Sequence, residues 1–325
     1  TETMLRDKNK TTEKGSSLLV RDDSFWSKIK KDYSKNYIVV YMMIIVVAYY
    51  VVFHYLPMYG VTMAFQDFNV SKGIFGSQWV GLKHFKEFFS SIYAWRTIRN
   101  TLLLSFYQLL FGFPFPIILA LLLNEVRVKW FKKTVQSITY LPHFISVVVV
   151  CGMVVEFTSQ SGLINDIIAM FGGERVSFLL KPEWFRPIYV TTSLWQSVGW
   201  DSIIYLAALA GVDPALYEAA YTDGANRFRQ FWHVTLPSIA PTIIVLFILN
   251  IGKFMSQGAE KVILLYNENV YETADVISSF VYRRGLINAD YSFSTAVGLF
   301  NSVINLILVV TANTLSRKFS ESSLW

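Results

Sequence analysis

Charge is scarce in this sequence. Lys, Arg, Asp and Glu together make up 16% of its 325 residues, against roughly 25% in a soluble domain. What charge there is gathers between apolar stretches, and residues 38–53 carry none. Charge spread evenly over the elements, as in a soluble protein, is therefore excluded. Cysteine is nearly absent as well. Cys151 stands alone, which rules out an intramolecular disulfide, and inside an apolar run its thiol acts as a small apolar group. The four histidines, His54, His84, His143 and His233, are too scattered for a metal-binding spacing. There is no phosphate-cradling G-x-x-x-x-G-K-[ST] loop, because Gly252 and Lys253 are followed by Phe254. A G-x-S-x-G nucleophile elbow is missing too. No motif points to an enzyme, so any energy source must be an ion gradient or a partner.

Apolar residues are what the chain has in excess: 53% are hydrophobic and 16% aromatic, and the mean hydropathy is +0.40. A bilayer core takes about 20 apolar residues per helix, and each charge at its centre costs roughly 2.5–3.5 kcal/mol on insertion scales. Six segments meet that requirement: residues 37–56, 101–124, 135–157, 187–211, 239–257 and 293–314. The pattern predicts an all-α integral membrane protein of six transmembrane helices. Its membrane domain covers residues 37–315, and tails of residues 1–36 and 316–325 flank it.

An even number of spans puts both ends on one side. That side collects 17 Lys and Arg, nine of them before Asn36, and the other side collects 11. The bias predicts cytoplasmic termini and a cytoplasmic loop at residues 213–237. Juxtamembrane bases drawn to anionic lipid account for the net charge of +6, so no nucleic-acid partner is implied. The first 36 residues are polar and the first apolar run is too long for a signal-peptide core. Phe25, Trp26, Ile29 and Tyr33 recur at helical spacing among Lys28, Lys30 and Lys31. They predict a short interfacial helix with its aromatic face toward lipid, the alternative being a disordered basic tail.

The loop DPALYEAAYTDGANRFRQFWHVTLPSIAP, Asp213 to Pro241, is charged, Gly-broken and Pro-bounded. Asp213 and Pro214 form a helix start. Gly224 tolerates a sharp turn, and Asp223 is placed to cap a second helix beginning near Ala225. The expected result is helix, turn, helix at the membrane surface. Leu216, Tyr217 and Ala220 would offer an apolar knob, and Glu218, Asp223, Arg227 and Arg229 a charged rim, which suits docking into a partner's groove. Glu218-Ala219-Ala220, then Asp223-Gly224-Ala225, then Leu236-Pro237 resembles the EAA loop of the membrane subunits of bacterial ATP-binding-cassette importers.

The resemblance runs along nearly the whole chain. The segments PMYGVTMAFQDFN, WVGLKHFKEFF, FPFPIILALLLNEV, YLPHFISVVVV, WQSVGWDSIIYLAALAGVDPALYEAAYTDGANRFRQ and VILLYNENVYETADVISSFVYRRGL are similar to the oligosaccharide and polysaccharide branch of type I importer permeases. So is the closing YSFSTAVGLFNSVINLILVVTANTLSRK. The resemblance implies a half-pore completed by a second, related permease. It also implies two ATPase subunits that bind ATP and Mg, and an extracytoplasmic solute-binding protein. This chain itself would hold no cofactor. Glu218 to Arg229 would be a rigid lever turning at Gly224.

For the sugar path, polar and aromatic residues inside the spans are the candidates. They are Tyr107 and Gln108 in the second, Trp195, Gln196, Trp200 and Asp201 in the fourth, and Asn250, Lys253 and Gln257 in the fifth. Such groups fit sugar contact or interhelical hydrogen bonds and interface aromatics. Glu156 and Lys253 are placed to form an ion pair or to snorkel. The alternative cargo is a non-sugar such as a peptide or phosphate ester. A stand-alone secondary transporter would need paired ionisable groups at mid-membrane, and only Asp201 lies clearly there.

Overall fold

The computed structural model describes residues 25–256 and 258–319, and these are nearly all helical. The expected tails before residue 25 and after residue 319, and Gln257, lie outside the described residues. Two units are distinguished, residues 1–60 and 61–325.

In the first unit a helix runs Phe25–Tyr50, interrupted at Asn36, whose φ of −125° and ψ of 30° leave the helical region. A backbone helix therefore precedes the first span, as expected. The direction of its aromatic face falls on side chains outside the described residues. A π turn, Val51–Tyr55, and the short helix Leu56–Met58 continue the run. Its large apolar side chains from Tyr37 to Met58 are exposed, apart from the half-buried Val40. A helix apolar on every side is one whose surroundings are not water.

In the second unit, Ile92–Glu125, Val147–Met170, Arg227–Ile251 and Tyr291–Lys318 are long and apolar enough to cross a membrane, as is Lys35–Phe65 near the amino terminus. A sixth span results when Pro182–Ala210 is counted with the helix Pro214–Thr222, bent 65° from it. Five helices, or six with that bent pair, agree with the expected architecture, but several boundaries move.

The third span is the main correction. Residues 135–157 are not one helix. An amphipathic helix, Lys129–Tyr140, ends in the 3-10 turn Leu141–Phe144, and a new helix starts at Val147. Pro142 cannot donate to the helix ladder, and the Ser146 hydroxyl accepts from Val149 N at 3.3 Å, capping the second helix. The apolar window had run across a corner.

The second span starts earlier, at Ile92, and carries Arg96 and Arg99 in its first turns, where both find polar partners. The fifth ends at Ile251 rather than residue 257. It also begins earlier, at Arg227, continuing through the π turn Phe231–Thr235. Pro237 lies in the first turn after that π turn and Pro241 inside the helix, so neither proline breaks it.

Pro182–Ala210 is the organising helix. It packs on Ile92–Gly112, Pro114–Glu125 and Lys129–Tyr140. The last contact is so close that a Cβ on Gly199 would stand 2.1 Å from the Thr139 carbonyl oxygen. Only glycine fits there.

The stretch after the fifth span, which the sequence leaves between two predicted spans, packs as core. Lys261, Val262, Leu265, Val270 and Ala274 to Ile277 are buried. Val262, Leu265, Val270, Ala274 and Val276 join Leu104, Cys151, Phe185, Tyr189 and Val190 in one apolar cluster. A second cluster gathers Phe88, Met255, Phe280, Phe293 and Val297. The one departure from all-α structure among the described residues is a pair of two-residue antiparallel strands, Gln66–Asp67 and Gln78–Trp79.

Candidate functional site

The helix Pro214–Thr222 is capped at both ends. Asp213 Oδ1 accepts from Ala215 N at 2.9 Å, as its sequence position indicates. At the other end Gly224 adopts φ +76°. Ala225 N donates to Ala220 O at 2.9 Å and Gly224 N to Tyr221 O at 3.0 Å, the pair of bonds that closes a Schellman turn. The cap of the next helix differs from expectation. Asn226 Oδ1, not Asp223, accepts from Arg229 N at 2.9 Å. The helix starts at Arg227 rather than near Ala225, which puts its first free amides beyond Asp223, because an N-cap carboxylate or amide must reach an amide two or three residues on.

Glu218, Ala219, Asp223, Arg227 and Arg229 are exposed, as is Leu216, while Ala220 and Ala225 are half-buried. Tyr217 is not part of an exposed knob. It turns inward, and its hydroxyl meets Thr235 Oγ1 at 3.0 Å. The sequence reading missed the apolar groups that stand out instead: Tyr221, 77% exposed, and Phe228, 69% exposed. Arg227 Nη1 lies 3.1 Å from Glu125 Oε2 at the end of Pro114–Glu125. Behind the loop is a cavity of about 700 Å³ lined by Leu121, Leu122, Tyr217, Phe228 and Phe231 among others.

Of the span candidates, the fold brings together Asp201, Asn250 and Lys253. They line one cavity of about 250 Å³ with Phe113, Pro116 and Tyr205. Ser197 hydrogen-bonds the Asp201 carboxylate. Trp200 stacks flat on His143, with centroids 4.4 Å apart and planes 1° apart. Gln196 donates to Ile145 O at 3.1 Å and accepts from Lys261 at 2.9 Å. Trp195 is exposed. Tyr107 packs against the main apolar cluster, and Gln108 Oε1 is buried without a hydrogen-bond partner among the described residues. Glu156 and Lys253 do not pair with each other or with any other charge among the described residues.

The fold also builds a charged knot that sequence reasoning missed. Asp275 is wholly buried and takes Arg283 at 2.7 Å and Arg96 at 3.3 Å, while Ser279 donates to its other oxygen at 2.9 Å. Asp275, Ser279 and Arg283 recur every four residues, a helical spacing that does signal their contact, whereas Arg96 comes from 179 residues away and has no local trace.

Residues 88–321 match the family model described as binding-protein-dependent transport system inner membrane component. The chain is 49% identical over 278 residues to the polygalacturonan/rhamnogalacturonan transport system permease protein YteP of Bacillus subtilis, covering 85% of this chain and 87% of that one. Protein LplB of the same organism is 48% identical over 278 residues, with the same shares covered. Among solved structures, a chain of a bacterial ABC transporter that imports the acidic polysaccharide alginate superposes with a TM-score of 0.84. It is 46% identical, and the match covers 90% of this chain and 99% of that one.

Proposed function

The chain belongs to the family of binding-protein-dependent transport system inner membrane components, and from that membership we propose that it is the permease subunit of an ATP-driven importer for an oligosaccharide or polysaccharide. The coupling half of the proposal is carried by one observation. The helix Pro214–Thr222 projects exposed side chains, is bent 65° from the span before it, and is capped at both ends. A short helix held this firmly suits a groove on a separate ATPase. The cargo half is supported by the saccharide importers that the chain resembles over most of its length.

In this reading a second related permease completes the pore. Two ATPase subunits bind ATP and Mg and carry out the hydrolysis, and a solute-binding protein delivers the saccharide from outside. The termini and the loop of residues 213–237 face the cytoplasm, and residues 37–315 form the membrane domain. Closure of the ATPases on ATP moves the Asp213-to-Arg229 lever through its turn at Gly224. The spans then switch between inward- and outward-facing states. Leu216, Glu218, Ala219, Tyr221, Asp223 and Arg227 meet the ATPase. Asp201, Asn250 and Lys253 border the path.

The test is uptake of labelled oligosaccharide into proteoliposomes holding the complete transporter. Uptake should require ATP, the binding protein and both permeases. Co-purified ATPase should be lost when Leu216 and Tyr221 are both changed to Asp. Retention of the ATPase by that double variant would sink the docking assignment. Uptake that persists without ATP would sink the importer reading.

A further inference from the structure

The cavity of about 700 Å³ behind the loop of residues 213–237 has an apolar wall and a polar rim. Ile118, Leu121 and Leu122 line it from the second span, and Phe228 and Phe231 from the start of the fifth. Asn124, Glu125 and Arg227 are among its polar groups. Ile118 is 48%, Leu122 62% and Phe228 69% exposed, so the described residues leave this wall uncovered. Ile118 and Leu122 lie seven and three residues before the helix end at Glu125. That is about 5–10 Å below it at ~1.5 Å per residue, the depth of the boundary between lipid heads and acyl chains. The volume falls within the roughly 300–1,000 Å³ of small-molecule sites.

Just beyond Glu125 a basic and aromatic surface begins. Arg127, Lys129 and Lys133 are exposed and Lys132 is half-buried. None of the four has a carboxylate within ion-pair distance among the described residues. Glu125, the acid between them and the cavity, is already paired with Arg227. Trp130 and Phe131 are exposed among the bases, the composition of a membrane-interface belt. Packing fixes their depth. Thr139 abuts Gly199, 11 residues or about 16 Å before the end of Pro182–Ala210. Lys129 lies ten residues or about 15 Å before Thr139 in its own helix, and Glu125 beside Arg227 sets the direction. The bases therefore stand level with the loop, at headgroup height, and even an extended chain puts Lys129 within about 14 Å of Glu125. Bases in a first helical turn oppose the helix dipole, so helix stability does not account for them. The inside-positive bias accounts for their sign, but not for an apolar cavity that ends beside them.

We propose that this cavity and the basic start of Lys129–Tyr140 form one site for an anionic phospholipid. An acyl chain fills the cavity against Ile118, Leu122 and Phe228, and the phosphate rests among Arg127, Lys129 and Lys133. Apolar burial and charge complementarity select the same molecule. A neutral lipid would leave the bases unpaired, and a free phosphate would leave the cavity empty. The seated lipid touches both the second span and the loop of residues 213–237. The site requires only that the chain lie in a bilayer, so its failure and that of the importer reading are separate.

The test places diazirine-bearing phosphatidylglycerol in phosphatidylcholine vesicles that hold the complete transporter, and maps the photo-adducts by peptide mass spectrometry. Adducts should concentrate in residues 114–133 and 227–235, and exceed those from diazirine-bearing phosphatidylcholine by about tenfold or more. Arg127→Gln/Lys129→Gln/Lys133→Gln should remove that preference, while Arg127→Lys should keep it. Leu122→Trp, which fills the cavity and leaves the bases in place, should lower labelling of both segments. Ile118→Phe replaces it where the melting temperature falls. Equal labelling by the two lipids, or a preference unchanged in the triple Gln variant, overturns the proposal. Labelling unchanged in the cavity-filling variant overturns it as well. So does labelling that glycerol phosphate competes away, which leaves a site for free phosphate. Labelling that appears only once the ATPases are stripped also overturns it, since the cavity then belongs to their interface.

Discussion

Arg283 places Nη2 2.7 Å from Oδ2 of Asp275, a carboxylate with no exposure at all. The same oxygen receives Arg96 from the start of the second span. One acid thereby ties the chain before the sixth span to the second, with the Ser279 hydroxyl donating to its carboxylate and the Asn100 side-chain amide donating to its backbone carbonyl to complete the knot. Such a group holds by being hard to remove, since deleting one partner strands the others without counter-charge.

Asp275→Asn should therefore destabilise the protein by about 3–5 kcal/mol. It should appear as a markedly lower melting temperature in detergent. Arg284→Gln, which breaks partly exposed pairs, should cost about 1 kcal/mol or less. Equal losses for the two variants would mean that the Asp275 knot is not the stronger tie.

At Gly224 the backbone rather than the side-chain space is restrictive. Its φ is +76°, and an added Cβ meets nothing within 4 Å. Gly224→Val should cost about 1–2 kcal/mol of local strain and open the Schellman turn. Uptake should fall while the protein remains inserted. Gly224→Asn, which tolerates the left-handed region, should keep most uptake. Uptake by Gly224→Val at the wild-type rate in vesicles would show that the turn is not part of the coupling.

Gly199 is the opposite case. Its conformation is ordinary, but the Thr139 carbonyl occupies the place of a Cβ, 2.1 Å away. Gly199→Ala should force the two helices apart, at about 1–3 kcal/mol, and lower the melting temperature. Gly298→Ala, with open space at its Cβ, is the matched control and should be neutral or slightly stabilising.

Burial pushes the Lys261 ammonium below the usual lysine range, in a short helix outside the spans. The folded protein thus releases this proton at lower pH than the unfolded chain does. In that window the unfolded state binds more protons, and stability rises with pH. Measured against Lys261→Met, the wild type should gain melting temperature as pH climbs toward the ordinary lysine value of about 10.4. At neutral pH Lys261→Met should be as stable or more so. A wild type that loses ground to Lys261→Met on the alkaline side would contradict this sign.

Long uniform runs made the spans legible, because lipid demands them. Residues 135–157 misled because apolar content does not distinguish a straight helix from one that turns at Pro142. Residues 258–292 misled for the reverse reason. Their helices, such as Ala259–Leu265 and Ile277–Tyr282, are covered by protein, so each is too short to register as a span. In the coupling loop the Asp213 cap and the Gly224 turn were readable, since both are local. That Tyr217 faces inward while Tyr221 faces out was not, because it depends on where Thr235 comes to lie. The joining of Asp201 to Asn250 and Lys253, and of Arg96 to Asp275, are tertiary facts with no local trace.

Pro182–Ala210 has 29 residues, about 43 Å of helix at ~1.5 Å per residue. Packed as a single rod, with the coupling turn at one end and Arg186 near the other, it converts angle into distance. A tilt of about 10° pivoted at one end displaces the other by about 7–8 Å over that length. A small rotation at the coupling turn would then be enough to shift the residues around Arg186 by that distance, with no bond inside the helix broken.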